Sequence, residues 1–216
     1  MSAAFRLQNV RRQIAAAIQL SGRKDSVRLI AVSKNRTPDE IEPLLEAGQR
    51  DFGESRVQEA SAKWPALLAR YPDVRLHCIG RLQSNKAGAA ARLFNAIHSV
   101  DRPSLLRALV DEPENTGRGP NVWVQVNIGG ESQKGGCAIE DVGEMVAAVR
   151  ASALPFAGLM AIPPEDKEPS PFFALLAKLA RRHDVAGLSM GMSSDFGAAI
   201  MLGATDIRVG TALFEG

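Results

Sequence analysis

The chain has 216 residues, of which 45% are hydrophobic and 23% are charged, a composition that supports one sizeable core. Its 26 basic and 24 acidic residues leave a formal net charge of +2, too balanced to indicate a nucleic-acid or membrane partner. Two cysteines far apart in sequence, Cys78 and Cys137, are typical of a reduced protein, and no apolar run approaches the length of a membrane span. We therefore expect a cytoplasmic protein with a single domain over residues 1–216.

The chain begins with a periodic segment, residues 2–20, in which apolar positions recur at helical spacing between arginines and glutamines. This pattern predicts an amphipathic helix, and the segment lacks the apolar centre of a signal peptide.

The next segment, residues 27–32, is short, apolar and rich in β-branched residues, which predicts a buried strand. Residues 37–40 (Thr-Pro-Asp-Glu) then have the pattern of a helix start. Lys34 is thereby placed at the carboxyl end of a strand, on the same side as Ile30 and Val32, where α/β folds position their chemistry. Its amine is a candidate nucleophile toward a carbonyl, and a solvated loop lysine is the alternative.

The same strand-then-helix alternation recurs along the rest of the chain, with the longest loop-like stretch at residues 113–120. Short amphipathic helices are predicted between the strands. Eight such units predict a (β/α)8 barrel, with a doubly wound open sheet as the alternative. The strands are predicted at residues 27–32, 50–53, 74–80, 96–100, 122–128, 156–162, 185–190 and 206–210.

The last two units carry small and hydroxylated residues directly after their strands, in Ser189-Met190-Gly191-Met192-Ser193-Ser194 and in Gly210-Thr211. In barrels, the loops after strands seven and eight frequently bind a phosphate group. A helix cap followed by a tight closing turn is the alternative interpretation.

Arg208 alternates onto the interior face of the last predicted strand, where its guanidinium requires an acceptor from a carboxylate or a ligand. An amine, an arginine and a phosphate site on one rim suggest pyridoxal 5'-phosphate (PLP). The three histidines, His77, His98 and His183, are too scattered in sequence to predict a metal site, and we expect none.

Several motifs in the same order resemble the pyridoxal phosphate homeostasis protein family, over nearly the whole chain. They are Ala31-Val32-Ser33-Lys34, Phe52-Gly53-Glu54-Ser55-Arg56-Val57-Gln58-Glu59, His77-Cys78-Ile79-Gly80-Arg81-Leu82-Gln83-Ser84-Asn85-Lys86, Val126-Asn127-Ile128, Gly158-Leu159-Met160-Ala161-Ile162-Pro163, Leu188-Ser189-Met190-Gly191-Met192-Ser193 and Arg208-Val209-Gly210-Thr211-Ala212-Leu213-Phe214.

The resemblance implies a barrel like the N-terminal domain of alanine racemase, the type III fold of PLP proteins, preceded by an extra helix. It implies that PLP is held on Lys34 as an internal aldimine and that Arg208 faces the pyridine nitrogen. The residues around the phosphate would be Ser189, Met190, Ser193, Gly210 and Thr211. Family members commonly have asparagine where this chain has Ser55, a position implied to contact the cofactor, and many have lysine at Arg36. Any C-terminal tail of the family is expected to be shortened or absent.

The residues also bear on whether such a protein turns over substrate. A PLP racemase needs an acid/base group on each face of its substrate, and Lys34 serves only one. The one tyrosine, Tyr71, is predicted at the far end of a helix, and no second domain is expected. An arginine at the ring nitrogen also weakens the ring as an electron sink.

We therefore expect a monomer, not an enzyme, that buffers PLP or delivers it to apo-enzymes. The alternatives are a monomeric amino-acid racemase and an aldolase that uses Lys34 without PLP.

Overall fold

The computed structural model describes residues 1–111 and 119–215, and the strands in these ranges form a closed, all-parallel barrel. Consecutive strands pair in chain order, and the last strand pairs with the first through Arg28↔Asp206 and Ile30↔Arg208. The predicted eight-stranded barrel is confirmed, and the open sheet is wrong because the sheet closes on itself. The strands are β1 Arg28–Val32, β2 Asp51–Glu54, β3 Arg75–Cys78, β4 Ala96–Val100, β5 Asn121–Gln125, β6 Phe156–Met160, β7 Leu188–Ser189 and β8 Asp206–Val209.

Helices connect the strands on the outside of the barrel, as parallel pairing requires. A short 3-10 turn at Ser84–Lys86 precedes the fourth helix. The loop predicted at residues 113–120 lies mostly outside the described residues. The helices are α1 Ala3–Leu20, α2 Pro38–Glu46, α3 Val57–Arg70, α4 Ala87–Leu93, α5 Pro103–Val110, α6 Val142–Arg150, α7 Ser170–Arg182, α8 Phe196–Met201 and α9 Thr211–Phe214.

Strand alternation separates an outer hydrophobic core from the barrel interior. On β8, Ile207 and Val209 belong to the core between strands and helices, whereas Asp206 and Arg208 point inward. Side chains of either kind are buried, so the interior is packed and is not a channel.

Helix α1 is the predicted extra element at the start of the chain. Its buried face, which includes Leu7, Val10 and Ile14, packs mainly against α8 and α9. The Arg6 guanidinium Nε donates to the Leu213 carbonyl oxygen over 2.7 Å, which links α1 to the last described helix. Within residues 1–111 and 119–215, no helix combines the length and apolarity needed to cross a lipid bilayer.

The predicted start of α2 is confirmed as a capping box. Thr37 Oγ1 accepts from the Glu40 backbone N–H at 3.4 Å, and Glu40 Oε2 accepts from the Thr37 N–H at 2.8 Å. Pro38 occupies the first helical turn. This local geometry ends the connection after β1 and so limits where Lys34 can lie.

The seventh unit differs from its prediction. The strand predicted at 185–190 is reduced to β7, and the helix predicted from Met192 begins only at Phe196. Gly191 has φ +94°, and the Met192 N–H donates to Asp195 Oδ1 at 2.5 Å, so residues 191–195 form a loop. This loop stands at the carboxyl ends of the strands.

Candidate functional site

A cavity of about 580 Å³ opens at the carboxyl ends of the strands, which we call the carboxyl-terminal mouth. The connections after β1, β7 and β8 contribute its polar side chains, and Val32, Met192 and Ala212 contribute apolar wall. It contains most of the residues that the sequence proposed for one site. The lining side chains with relevant chemistry are Lys34, Ser193, Ser194, Arg208, Thr211 and Glu215, together with Gly210.

Lys34 lies in the turn after β1 and is exposed to solvent. The structure gives its side chain no hydrogen bond or ion pair with any residue in the described ranges. The amine is therefore available to a ligand in the cavity. Of the two apolar residues that the sequence placed on its side of the strand, Ile30 and Val32, only Val32 lines the cavity.

The turn that carries Lys34 is held from below by α3. The Lys63 ammonium donates to the Ser33 carbonyl at 2.7 Å and to the Arg36 carbonyl at 3.1 Å, and so brackets Lys34 on both sides. Between them, Asn35 adopts φ +59°, and its N–H donates to Glu59 Oε1 at 2.6 Å. Asn35 has a left-handed backbone conformation, and Lys63 and Glu59 of α3 hold the turn around it. Together they set the direction in which Lys34 leaves the backbone.

A buried carboxylate completes this support. Glu54 at the end of β2 is fully buried, and its Oε1 accepts from Ser33 Oγ at 2.5 Å and from Trp64 Nε1 at 2.9 Å. The same oxygen lies 2.9 Å from Lys63 Nζ. Sequence analysis missed Glu54 and Lys63 as a pair; the one local signal was the spacing of Lys63 four residues after Glu59.

Arg208 points into the barrel below the cavity, as predicted. Its Nη1 donates to Ser189 Oγ at 2.7 Å and its Nη2 to the Ala161 carbonyl at 3.0 Å. Both acceptors are neutral. Burial lowers the pKa of Arg208 to about 10, so the guanidinium remains charged at neutral pH. A cation held by neutral acceptors beside a cavity favours an electron-rich ligand atom there.

The loops after β7 and β8 are joined where they enter the cavity. The Gly210 N–H donates to Ser193 Oγ at 3.2 Å, and the Arg208 N–H donates to the Gly191 carbonyl at 3.0 Å. The hydroxyls of Ser193, Ser194 and Thr211 therefore belong to one wall.

Three residues predicted for the site do not line this cavity. Ser189 is fully buried beneath Arg208. Met190 packs in the outer hydrophobic core, and its N–H already donates to the Asp206 carbonyl at 3.1 Å. Ser55 is half-buried after β2, so close to Gly80 that a Cβ on the glycine would lie 2.2 Å from the Ser55 carbonyl oxygen.

Tyr71 lies away from the cavity, as its place in the sequence predicted. It follows α3, its hydroxyl donates to Glu42 Oε1 at 3.2 Å, and its ring packs under the guanidinium groups of Arg50 and Arg70. Those partners lie at the opposite end of the barrel from Lys34.

The histidines are not uniformly scattered. His77 and His98 point inward from adjacent strands, and His77 Nδ1 lies 3.0 Å from His98 Nε2. The sequence separation concealed this contact because parallel strands bring distant segments side by side. Among the described residues, no group of three or more His, Cys, Asp or Glu side chains is arranged to hold a metal ion.

A larger cavity, of about 800 Å³, opens at the opposite end, the amino-terminal mouth. Most of its charged groups are joined in pairs: Arg28 Nη1 lies 2.7 Å from Asp206 Oδ1, and Arg75 Nη2 lies 2.8 Å from Asp51 Oδ2. Arg11 instead donates to the Gly48 carbonyl and to Gln49 Oε1. Burial alone would raise the pKa of Asp51, but hydrogen bonds from His77 and Arg75 outweigh it and hold the pKa below its usual value.

Comparison with known proteins agrees with this architecture. The family model for the alanine racemase N-terminal domain matches residues 5–216. A pyridoxal phosphate homeostasis protein from Pseudomonas aeruginosa is 42% identical over 216 residues, which cover 96% of this chain and 93% of the relative.

Solved structures give the same result. PipY from Synechococcus elongatus PCC7942, solved with PLP bound, matches with a TM-score of 0.84 and 38% identity, over 98% of this chain and 99% of that chain. Alanine racemase from Clostridium difficile shares the fold, with a TM-score of 0.70 and 13% identity over 96% of this chain and 56% of that chain. The chain therefore belongs to the pyridoxal phosphate homeostasis protein family, whose barrel is that of the alanine racemase N-terminal domain.

Proposed function

We propose that this chain binds PLP at the carboxyl-terminal mouth and serves in PLP homeostasis, as a buffer or a delivery protein. The observation that carries the proposal is that three kinds of group line one cavity: a primary amine with no partner among the described residues, a buried guanidinium and several hydroxyls. The cavity volume, about 580 Å³, is within the range of small-molecule sites. The PLP-bound structure of PipY, the similar protein described above, supports the choice of ligand.

Each residue has a role that follows from its chemistry. Lys34 would provide the amine that condenses with the cofactor's aldehyde, with release of water. Arg208 has more N–H donors than Ser189 and Ala161 use, and it would donate one to the ring nitrogen. As a cation it would also keep that nitrogen unprotonated. When bound, PLP supplies an electron-accepting ring and an aldehyde.

The phosphate is held by the joined wall, through the Ser193 and Thr211 hydroxyls and the backbone at Gly210. Ser189 acts on the ring through Arg208. Contacts from Ser55 and Met190 stay predictions, because neither residue lines the cavity.

Among the described residues, none offers Lys34 a free acid/base partner for racemisation in this cavity. Tyr71 lies at the other end of the barrel, and the Glu215 carboxylate at the rim is paired with Arg36. Burial raises the pKa of both Cys78 and Cys137 to about 12, so neither thiol is an available base. Binding without efficient turnover therefore suits these residues better than racemisation.

The proposal also covers the protein's domain organisation, oligomeric state, compartment and acceptors. The chain acts as a single domain over residues 1–216 and as a monomer in the cytoplasm, and apo-enzymes that require PLP accept the cofactor. Free, buried thiols at Cys78 and Cys137 support a reducing compartment.

Absorbance spectroscopy tests the central claim. Wild-type protein incubated with PLP and freed of excess should show a visible band from the lysine-bound cofactor. Lys34→Ala should lose that band completely, because no other amine occupies its position. Lys24→Ala is the matched control, since Lys24 is also exposed and precedes the strand that Lys34 follows.

Each alternative has its own outcome. A colourless wild-type protein, or a band retained in Lys34→Ala, overturns the proposal, and the colourless outcome favours an aldolase lysine. Rapid exchange of the α-proton of an amino acid in deuterated water favours the racemase.

A further inference from the structure

A continuous chain of buried polar side chains crosses the barrel interior and ends on Arg208. His77 Nε2 lies 3.0 Å from Asp51 Oδ1, and His77 Nδ1 lies 3.0 Å from His98 Nε2. His98 Nδ1 lies 2.9 Å from Ser189 Oγ, which accepts from Arg208 Nη1 at 2.7 Å. We call Asp51, His77, His98, Ser189 and Arg208 the interior relay.

Packing holds the relay out of water and in place. Its members are at most 7% exposed, and His98 is fully buried. The His98 ring stacks on Trp123, with ring centroids 4.9 Å apart and planes 12° from parallel. Because rotation of the ring is restricted, the two ring nitrogens keep their separate partners.

The donor and the acceptor of each hydrogen bond in the relay can be assigned by starting from Asp51. The carboxylate of Asp51 only accepts, so His77 donates from Nε2. If His77 is neutral, its Nδ1 accepts, and His98 must donate from Nε2. His98 Nδ1 then carries no proton and accepts from the Ser189 hydroxyl, whose lone pair accepts from Arg208. All donors point toward Asp51.

One added proton reverses part of this order. A doubly protonated His77 donates from both nitrogens, so His98 must accept at Nε2 and donate from Nδ1 to Ser189. Relative to the first arrangement, the relay then carries one more proton, on His77 Nδ1, and His98 carries its proton on Nδ1 instead of Nε2. Ser189 Oγ then accepts from both His98 Nδ1 and Arg208 Nη1. The positive charge comes to rest beside Asp51, three hydrogen bonds away from Arg208.

We propose that His77 and His98 are positioning residues for Arg208, and that the protonation state of His77 sets the tautomer of His98. The inference rests on the proposed function, in which Arg208 faces the cofactor ring. The relay orients Ser189 as an acceptor, which fixes the guanidinium.

Charges around the relay fit this arrangement. Burial, followed by the positive charges of His77, Arg208 and Arg28, holds the pKa of His98 well below its usual value, so His98 changes tautomer without gaining charge. The charged or titratable groups that surround His77 from the adjoining strands are Arg28, Asp51, Arg75, His98, Asp206 and Arg208.

Histidine NMR tests the relay without cofactor. Long-range ¹H–¹⁵N spectra of the cofactor-free protein should show both His77 and His98 as Nε2–H tautomers at a pH where His77 is neutral. As His77 becomes doubly protonated on acidification, His98 should change to the Nδ1–H tautomer with the same midpoint. An Nδ1–H tautomer of His98 while His77 is neutral overturns the proposal. So does a His98 tautomer that does not change when His77 becomes doubly protonated. The chain has 3 histidines, so His183→Gln completes the assignment.

Variants of the loaded protein then test positioning. His98→Leu removes both contacts and should raise the dissociation constant of PLP about tenfold, as expected for loss of support to one charged hydrogen bond. His98→Asn keeps an amide near Ser189 but does not reach His77, so its dissociation constant should remain within about threefold of wild type. If the visible band of the wild-type protein changes with pH at the midpoint of His77 protonation, that change should be absent in His98→Asn.

The matched control is His183→Gln, which lies outside the relay and should behave as wild type. Wild-type affinity and pH response in His98→Leu overturn positioning. Failure of the proposed function is distinct, since the wild-type protein would then stay colourless whatever the NMR spectra show.

Discussion

The two mouths of the barrel differ in how their charges are satisfied. At the amino-terminal mouth, arginines and aspartates from β1, β2, β3 and β8 neutralise one another. At the carboxyl-terminal mouth, Lys34 has no protein partner within the described residues, and Arg208 is held by a hydroxyl and a carbonyl. Apart from Arg11, the arginines that line the larger cavity are paired with carboxylates. The smaller cavity contains two cations, Lys34 and Arg208, that have no carboxylate partner among the described residues.

A buried ion pair also supports the carboxyl-terminal mouth. Glu54 and Lys63 hold the Lys34 turn from below, whereas the pair of Arg50 and Asp73 at the other end is largely exposed. A site with unpaired cations thus depends on paired charges one layer beneath it. This difference between the mouths can be tested by breaking each kind of interaction.

The largest expected effect comes from Lys63→Met. Loss of the ammonium leaves the Glu54 carboxylate buried without its counter-ion, so the free energy of unfolding should fall by about 3–5 kcal/mol. Urea denaturation measures it. Asp73→Asn breaks an exposed pair at the amino-terminal end and should change the unfolding free energy little. Equal losses of unfolding free energy in both variants would show that the buried pair contributes no more to stability than the exposed pair.

A smaller effect should appear in acid at the amino-terminal mouth. The pKa of Asp51 is lower in the folded protein than in the unfolded chain, so the unfolded state binds more protons between the two values. The stability that Asp51 contributes is thus fully present above the ordinary carboxyl pKa of about 3.9, and it is lost as the pH falls through the folded value.

Asp51→Asn should therefore flatten the acid limb of a plot of unfolding free energy against pH. Asp166→Asn, at an exposed position before α7, is the matched control and should keep the wild-type slope. An unchanged acid limb in Asp51→Asn would contradict the assignment.

The smallest effect is expected from Ser55→Asn, which restores the residue common in the family. If the amide reaches the cofactor, the dissociation constant of PLP should decrease by less than about tenfold, as for one neutral hydrogen bond. Absorbance titration measures it, with Ser26→Asn at the amino-terminal mouth as the control. No change would mean that position 55 stays outside the site, as Ser55 lies here.

Much of the fold was predictable because its signals are local. The recurring strand-then-helix pattern placed β4 at residues 96–100, and the capping residues located the start of α2. Prediction was poorer at β7, where a glycine with positive φ and an aspartate side chain replaced helix by loop. Turn chemistry of that kind competes with periodicity and is hard to read from sequence.

The sequence by itself determined the order of strands and helices, the inward direction of Arg208 and the position of Lys34 at a strand end, since all three follow from short-range periodicity. Only the tertiary structure decided which side chains meet inside the barrel. His98 reaches Ser189 across 91 residues of chain, and Lys63 reaches Ser33 across 30. Such contacts depend on strand register and on closure of the barrel, which set distances between segments that no local pattern relates.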